Sequence, residues 1–132
     1  MSIIRSAGIA AVLAAATSSP SLAQDAGAGE RVYAQCRACH QIGEGARNIV
    51  GPQLNGLFGR KAGTVEGYTY SAANKNSGLT WDDATFRDYI KDPRAKIPGT
   101  KMVYAGLKDE QRITDLIAYL KQFDATGKKA AP

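Results

Sequence analysis

The stretch Cys36-Arg37-Ala38-Cys39-His40 contains both cysteines and the single histidine of the 132-residue chain. Its spacing, C-x-x-C-H, is the attachment sequence for a c-type haem. The two thiols can add across the two vinyl groups of one porphyrin edge, and the adjacent imidazole can then reach the iron. We therefore predict one haem c per chain, bound covalently by Cys36 and Cys39, with His40 as an axial iron ligand.

Other uses of this cysteine pair fit the sequence less well. A dithiol redox site normally lies at the start of a helix that follows a strand, and no strand is predicted before Cys36. A structural disulfide would leave His40 without a role. Two cysteines and one histidine cannot complete the four-coordinate shell of a zinc site.

The N-terminal residues have the composition of a secretory signal peptide. Arg5 gives a short positive region, Ala7 to Ala16 is apolar, and Ser21-Leu22-Ala23 fits the small-x-small cleavage rule. A membrane anchor is the alternative, but about 20 apolar residues are needed to span a bilayer. We expect residues 1–23 to be removed, leaving residues 24–132 as a single soluble periplasmic domain.

Apolar residues at helical spacing indicate an all-α chain with glycine-rich loops. The predicted helices are Asp25–Cys39, a helix that starts within Thr80–Asp83 and ends near Asp92, and Lys108–Phe123. Loops are predicted for Gln41–Thr69 and Ile97–Leu107, and residues 127–132 are expected to fray. So much loop cannot bury a core alone, and a large apolar cofactor would fill the interior.

The second axial position has several candidate ligands, because the chain has no second histidine. Methionine, lysine, tyrosine and water all remain open, as does an empty position. Met102 is the only methionine outside the signal peptide and lies in a Pro/Gly loop. A gap-filling core methionine is the alternative. A thioether ligand raises the reduction potential, and two strong ligands close the iron to substrates, which favours electron transfer.

From Gly29 to Leu120 the sequence resembles the class I c-type cytochromes, especially mitochondrial cytochrome c and the bacterial cytochromes c2. The matching stretches are Gly51-Pro52, Asn55–Lys61, Ala73–Asn76, Ile97–Met102 and Asp115–Leu120. The resemblance implies the small all-α cytochrome c fold. In that fold the N- and C-terminal helices cross, and short helices and long loops wrap around one covalently bound haem.

The resemblance also implies roles for individual residues of the haem pocket. Pro52 would accept a hydrogen bond from the His40 imidazole through its carbonyl, and Met102 would be the second iron ligand. Tyr70 and Trp81 would hydrogen-bond a haem propionate whose charge Arg60 offsets. The remaining matches are Asn74, Tyr89 and Thr100 around the methionine sulfur, and Gly29, Tyr33 and Tyr119 between the terminal helices.

Without the resemblance these residues would be interpreted differently. Trp81, Tyr70 and Tyr89 would count as ordinary core aromatics, and Gly51-Pro52 as a simple turn. Some positions depart from the mitochondrial pattern: Gln35 stands where lysine is common, Tyr104 where phenylalanine is common, and Asp109 and Glu110 replace basic residues.

The expected function is that of a soluble one-electron carrier rather than an enzyme. It would shuttle electrons between membrane-bound redox complexes of a respiratory or photosynthetic chain, from a bc1-type reductase to an oxidase or reaction centre. A monomer would dock transiently at the membrane surface through a basic haem-edge face comprising Arg37, Arg94, Lys96, Lys101 and Lys108. A merely solvated charged surface is the alternative interpretation of these residues.

Other function classes are less compatible with the sequence. Nucleic-acid binding is not expected, because the net charge of +5 is dispersed and no nucleic-acid motif is present. A haem peroxidase would need an open iron and usually a distal acid–base group. A gas sensor would need a weak sixth ligand and an output domain. Both remain alternatives if Met102 does not bind iron.

Overall fold

The computed structural model describes Ala15, Ala16 and residues 23–130. Most of the predicted signal peptide lies outside the described residues. The helices are α1 (Ala26–Tyr33), α2 (Ala72–Lys75), α3 (Asp83–Lys91), α4 (Pro93–Lys96) and α5 (Glu110–Leu120). The described residues contain no strand beyond the isolated bridges Lys61–Thr80 and Phe123–Lys129. The all-α prediction is therefore confirmed.

Aspartate side chains set the starts of four helices. The carboxylate of Asp25 accepts a hydrogen bond from the Ala28 amide at 2.9 Å, which starts α1 as the sequence predicted. Equivalent caps begin α3, α4 and α5, at Asp82, Asp92 and Asp109. Each cap satisfies a backbone donor that the first helical turn would otherwise leave unpaired.

The N-terminal and C-terminal helices pack closely against each other, as expected. A Cβ atom on Gly29 would lie 1.9 Å from the carbonyl oxygen of Asp115, so only glycine permits this approach. The rings of Tyr33 and Tyr119 extend the contact, with centroids 5.2 Å apart. The apolar stripe of α5 is buried, and Ile113 and Ile117 are 0% exposed.

Helix boundaries differ from the prediction in several places. The last helix, α5, spans Glu110–Leu120 and is shorter at both ends than the predicted Lys108–Phe123. The first α-helix ends at Tyr33 and continues as a 3-10 turn, Ala34–Cys36, rather than reaching Cys39. The short helices α2 and α4 were not predicted. Pro93 lacks a backbone donor and therefore ends α3, yet it is the first residue of α4, where no donor is needed.

The prediction that residues 127–132 fray is wrong for residues 127–130. Gly127 is buried, and the amide of Ala130 donates to the carbonyl of Gln122 at 2.7 Å. The segment folds back because Phe123 and Lys129 form an antiparallel bridge. Residues 131 and 132 lie outside the described part of the chain. Among the described residues, no helix has the length and apolar character needed to cross a membrane.

Candidate haem site

One cavity of about 380 Å³ lies between the helices and the long loops, and its lining is mostly apolar. All eleven residues that the sequence analysis assigned to the haem site line it. They are Cys36, Cys39, His40, Pro52, Arg60, Tyr70, Asn74, Trp81, Tyr89, Thr100 and Met102. Residues from separate stretches of the chain thus meet around one space. A predominantly apolar cavity with a few convergent polar groups is typical of a cofactor site.

A tight turn brings the two thiols and the imidazole to this cavity. The amides of Cys39 and His40 both donate to the carbonyl of Cys36, at 3.1 and 2.9 Å. Neither cysteine forms a disulfide, and both are half-buried. Burial is the main reason that the pKa of the Cys36 thiol is raised to about 11, and the neighbouring Cys39 adds to the effect. Two thiols on one turn are suited to two thioether bonds.

The His40 ring is oriented by a backbone carbonyl. Its Nδ1 atom lies 2.7 Å from the carbonyl oxygen of Pro52, which can only accept, so Nδ1 carries the proton. The other ring nitrogen, Nε2, is then the atom able to bind a metal. Burial, as the largest effect, lowers the pKa of His40 and favours the neutral imidazole that metal ligation requires.

Gly51 provides the space for this ring, a role that sequence reasoning missed. A Cβ atom on Gly51 would lie 2.3 Å from Cε1 of His40. The Gly51 amide also donates to the carbonyl of Cys39 at 2.7 Å, which closes the loop onto the cysteine turn. The only signal in the sequence is a glycine directly before Pro52.

The Met102 side chain is held by a hydroxyl group from α3. The phenol of Tyr89 donates to the sulfur of Met102 at 3.0 Å. Thr100 contacts the same residue, because its hydroxyl accepts a hydrogen bond from the Met102 amide at 3.3 Å. Ile97 begins this loop, and its side chain is buried in the core. The backbone carbonyl of Ile97 accepts a hydrogen bond from the Thr100 amide at 3.0 Å. The Tyr89 hydroxyl thus contacts the methionine sulfur, whereas Thr100 contacts the backbone amide of the same residue.

Arg60 places a half-buried cation on the cavity wall. Its guanidinium donates from one nitrogen to the carbonyls of Gln53 at 3.3 Å and Asn55 at 3.0 Å. None of the five ion pairs among the described residues includes it. Burial lowers its pKa, as expected for a cation without an anionic partner. An anionic substituent of a bound group would compensate this charge.

Tyr70, Trp81 and Asn74 supply further polar groups to the same space. The Tyr70 oxygen accepts from the Val65 amide at 3.1 Å, which leaves its proton available for another acceptor. Trp81 is 7% exposed and packs edge-on against Tyr89. The Asn74 Oδ1 atom is buried without a hydrogen-bond partner in the described part of the chain. A buried polar atom is normally satisfied, so this side-chain amide has unused hydrogen-bonding capacity on the cavity wall.

The residues present fit a haem. Two adjacent thiols and an oriented imidazole form the attachment set, while a thioether faces the same cavity. Donors from Arg60, Tyr70 and Trp81 match the acidic substituents that a haem carries. The exposed rim residues Val50 and Val103 also line the cavity, at 69% and 84% exposure, and sequence reasoning missed both. Isolated valines in loops give no signal of such a position.

Comparison with known proteins gives consistent results. A family model described as cytochrome c matches residues 26–124. Cytochrome c2 of Blastochloris viridis is 64% identical over 115 residues, which are 87% of this chain and 91% of the relative. Cytochrome c-550 of Bradyrhizobium diazoefficiens is 62% identical over 103 residues, which are 78% of this chain and 76% of the relative.

Two solved structures that are named as cytochromes have folds similar to that of this chain. Cytochrome c2 from Rhodospirillum centenum superimposes with a TM-score of 0.72 at 40% identity, covering 76% of this chain and 98% of that chain. Cytochrome cH from Methylobacterium extorquens gives a TM-score of 0.69 at 50% identity, covering 74% and 97% respectively.

Proposed function

Because the chain belongs to the cytochrome c family and is of the bacterial cytochrome c2 type, we propose that His40 and Met102 are the axial ligands of its haem iron. The protein is an electron carrier and not an enzyme. It binds one haem c covalently, and Cys36 and Cys39 fit the attachment motif. The haem supplies one-electron chemistry at its iron. The observation that carries the ligand assignment is that both ligand atoms line one cavity and each side chain is held by a hydrogen bond.

The residues around the two ligands have complementary roles. The Pro52 carbonyl holds the His40 proton on Nδ1 and increases the donor strength of Nε2. The Tyr89 hydroxyl holds the Met102 sulfur in one orientation and withdraws electron density from it. Two oriented ligands limit the movement of atoms when the charge of the iron changes. They also leave no position for a substrate, which distinguishes an electron carrier from a peroxidase.

Visible spectroscopy of the purified holoprotein tests the ligand assignment. The oxidised wild-type protein is expected to be low-spin, with the weak red band of a thioether–Fe(III) bond. Met102→Ala should remove that band, whereas Val103→Ala, at the exposed neighbouring position, should keep it. A high-spin wild-type protein that binds external ligands freely would contradict the assignment and favour peroxidase or gas-binding chemistry.

We propose that the rim of the cavity is also the docking surface for membrane redox complexes. Val50 and Val103 expose apolar groups there, and Lys101 adds a positive charge. The other four predicted basic residues, Arg37, Arg94, Lys96 and Lys108, do not line the cavity. Arg37 pairs with Glu30 and Lys96 with Asp88, at 3.5 and 3.3 Å.

We therefore propose that Lys101, next to the exposed valines, is the basic residue nearest the docking centre. A bc1-type reductase is the proposed donor, and an oxidase or photosynthetic reaction centre the proposed acceptor, each meeting a monomer in a transient complex. Lys101→Gln should slow reduction by a purified bc1-type complex several-fold at low salt and less at high salt. Lys61→Gln, an exposed change outside the cavity, is the control. Equal rates for both variants would exclude Lys101 from docking.

Export to the periplasm completes the proposal. Residues 1–23 would be removed as a signal peptide, and residues 24–132 would form the single mature domain. The relatives named cytochrome c2 support this location. Mass spectrometry of protein isolated from the periplasmic fraction should give a chain starting at Gln24 with one haem attached. An intact N-terminus in the holoprotein would contradict the cleavage site.

A further inference from the structure

The last described residues form a compact turn, here called the C-terminal turn and defined as residues 124–130. The Asp124 carboxylate organises it, since one oxygen accepts from the Thr126 amide at 2.8 Å, the Thr126 hydroxyl at 2.6 Å and the Lys128 amide at 3.1 Å. The amide of Asp124 in turn donates to the carbonyl of Lys128 at 3.1 Å. The segment is thus a defined structure and not a loose terminus.

The C-terminal turn presses against the loop that follows the cysteine motif. Gly127 is buried with φ +83°, and a Cβ atom there would lie 2.2 Å from the carbonyl oxygen of Gly43. A second contact lies nearby, where a Cβ on Gly56 would be 2.8 Å from Cα of Ala125. The Gly56 amide also donates to the carbonyl of Phe123 at 3.3 Å. Backbone meets backbone at both places, so neither contact can be relieved by moving a side chain.

The contacted loop is the one that carries Pro52. Asn55 is 7% exposed and ties the two ends of the loop together, because its Oδ1 accepts from the Gly43 amide at 2.8 Å and its Nδ2 donates to the Gly43 carbonyl at 2.9 Å. The Leu54 amide donates to Gln41 at 3.0 Å. Pro52 then holds His40 at 2.7 Å. A continuous set of contacts runs from Gly127 through Gly43 and Asn55 to the carbonyl that orients the imidazole.

We propose that the C-terminal turn is a positioning element for the Pro52 carbonyl, and that Gly127 is its positioning residue. This inference rests on the proposed function in taking His40 as an iron ligand. The loop is rich in glycine and has a soft backbone, so contacts outside it must fix its shape. By clamping the loop at Gly43, the turn keeps the hydrogen bond to His40 short.

Two glycine substitutions distinguish the effect of the contact with Gly43 from the conformational cost of placing alanine at a positive φ. Gly127→Ala introduces both a disfavoured φ and the collision with Gly43. Gly45→Ala is the matched control, since Gly45 has φ +75° and a Cβ there meets nothing within 4 Å. Asp124→Ala is the second variant, which loosens the turn without adding bulk and therefore remains informative if Gly127→Ala does not fold.

Hydrogen exchange of the holoprotein, followed by NMR, is the primary measurement. The Gly51 and Leu54 amides should exchange at least about tenfold faster in Gly127→Ala and Asp124→Ala, which corresponds to an opening made easier by about 1.4 kcal/mol. The amides of Ile113 and Ile117 in α5 should not change, and Gly45→Ala should match the wild type. Loop exchange at the wild-type rate in both turn variants would overturn the proposal, as would equal acceleration in α5.

The reduction potential is the second measurement. A weaker hydrogen bond to Pro52 makes the His40 imidazole a poorer donor, so the potential should rise in Gly127→Ala and not in Gly45→Ala. The exchange result does not depend on which side chains bind the iron. Faster loop exchange with an unchanged potential would overturn the positioning role. If the wild-type protein lacks the thioether band, the ligand assignment is contradicted, but the positioning role of the C-terminal turn is not.

Discussion

The phenolic oxygen of Tyr89 lies 3.0 Å from the sulfur of Met102 and donates a hydrogen bond to it. The two residues come from different elements, since Tyr89 is in α3 and Met102 follows α4 in a loop. Helical periodicity in the sequence identifies Tyr89 only as a core residue. In the structure its side chain contacts the proposed iron ligand. This contact therefore couples the packing of a helix to the electronic properties of the site.

Replacing Tyr89 with phenylalanine should lower the reduction potential. Without the hydrogen bond the Met102 sulfur becomes a better donor, which stabilises the oxidised iron more than the reduced iron. Protein-film voltammetry of Tyr89→Phe measures the change. Tyr104→Phe is the control, since it removes a hydroxyl from another tyrosine on the cavity wall that makes no hydrogen bond to the sulfur among the described residues. A potential that falls equally in both variants would argue against a specific role for the Tyr89 hydrogen bond.

Replacing Gly51 with alanine should disturb the proximal side of the haem site. The new Cβ would lie 2.3 Å from the His40 ring, so the imidazole must leave the position in which it meets Pro52. We expect a low yield of holoprotein, with a larger high-spin fraction in its visible spectrum. Gly59→Ala is the control for the spectrum, because a Cβ at Gly59 meets nothing within 4 Å. Its φ of +94° disfavours alanine, so this variant should lose stability but keep the low-spin spectrum. A normal low-spin spectrum for Gly51→Ala would show that the ring tolerates displacement.

Replacing Gly29 with alanine should destabilise the contact between α1 and α5. The Cβ would lie 1.9 Å from the Asp115 carbonyl oxygen, so the helices must separate, at a cost of about 3 kcal/mol or more. Guanidinium unfolding of the holoprotein, followed by far-UV circular dichroism, measures the free energy of unfolding. Gly27→Ala in the same helix is the control, with an expected change below about 1 kcal/mol. Because alanine is the better helix former, Gly27→Ala should not destabilise the helix. A Gly29→Ala protein as stable as Gly27→Ala would contradict the requirement for glycine at this contact.

The ion pairs of Glu110 should make a small contribution to stability that depends on pH. Hydrogen bonding to Lys91, with the nearby charge of Arg87, lowers the pKa of this carboxyl below its ordinary value of 4.5. The contribution is thus fully present above that value and is lost as pH falls through the lower folded-state pKa. Thermal unfolding of wild type and Glu110→Gln should differ at pH 7 and converge in acid. A difference that persists at pH 2 would contradict this origin.

The helical stripe of α5 illustrates what local patterns can predict. Ile113, Leu116, Ile117 and Leu120 repeat at helical spacing, and all four are buried. The Asp25 cap is likewise visible in the sequence because capping needs only a side chain three residues from its donor. Both signals are local, so they can be recognised in the sequence without knowledge of the rest of the fold.

The wrong prediction for residues 127–130 shows what local patterns miss. Glycine and lysine close to the last residues suggest fraying. In the structure, however, Gly127 is buried against Gly43, which lies in the loop after the cysteine motif. The short helix α4 is missed for a related reason, since a proline in the sequence indicates only where the preceding helix ends. The burial of Pro93 in the tertiary structure and the Asp92 cap make it the start of a new helix.

The sequence alone determined the haem c cofactor and the helical class, and it predicts Cys36 and Cys39 as the attachment residues, because each depends on residues adjacent in the chain or repeated at helical spacing. The resemblance to c-type cytochromes added the pocket residues. Only the tertiary structure decided that Gly51 makes room for His40, that Lys101 alone among the predicted basic residues lines the cavity, and that the C-terminal turn contacts the loop that carries Pro52. These features depend on contacts between distant segments, where a fraction of an ångström in backbone separation decides which side chain fits.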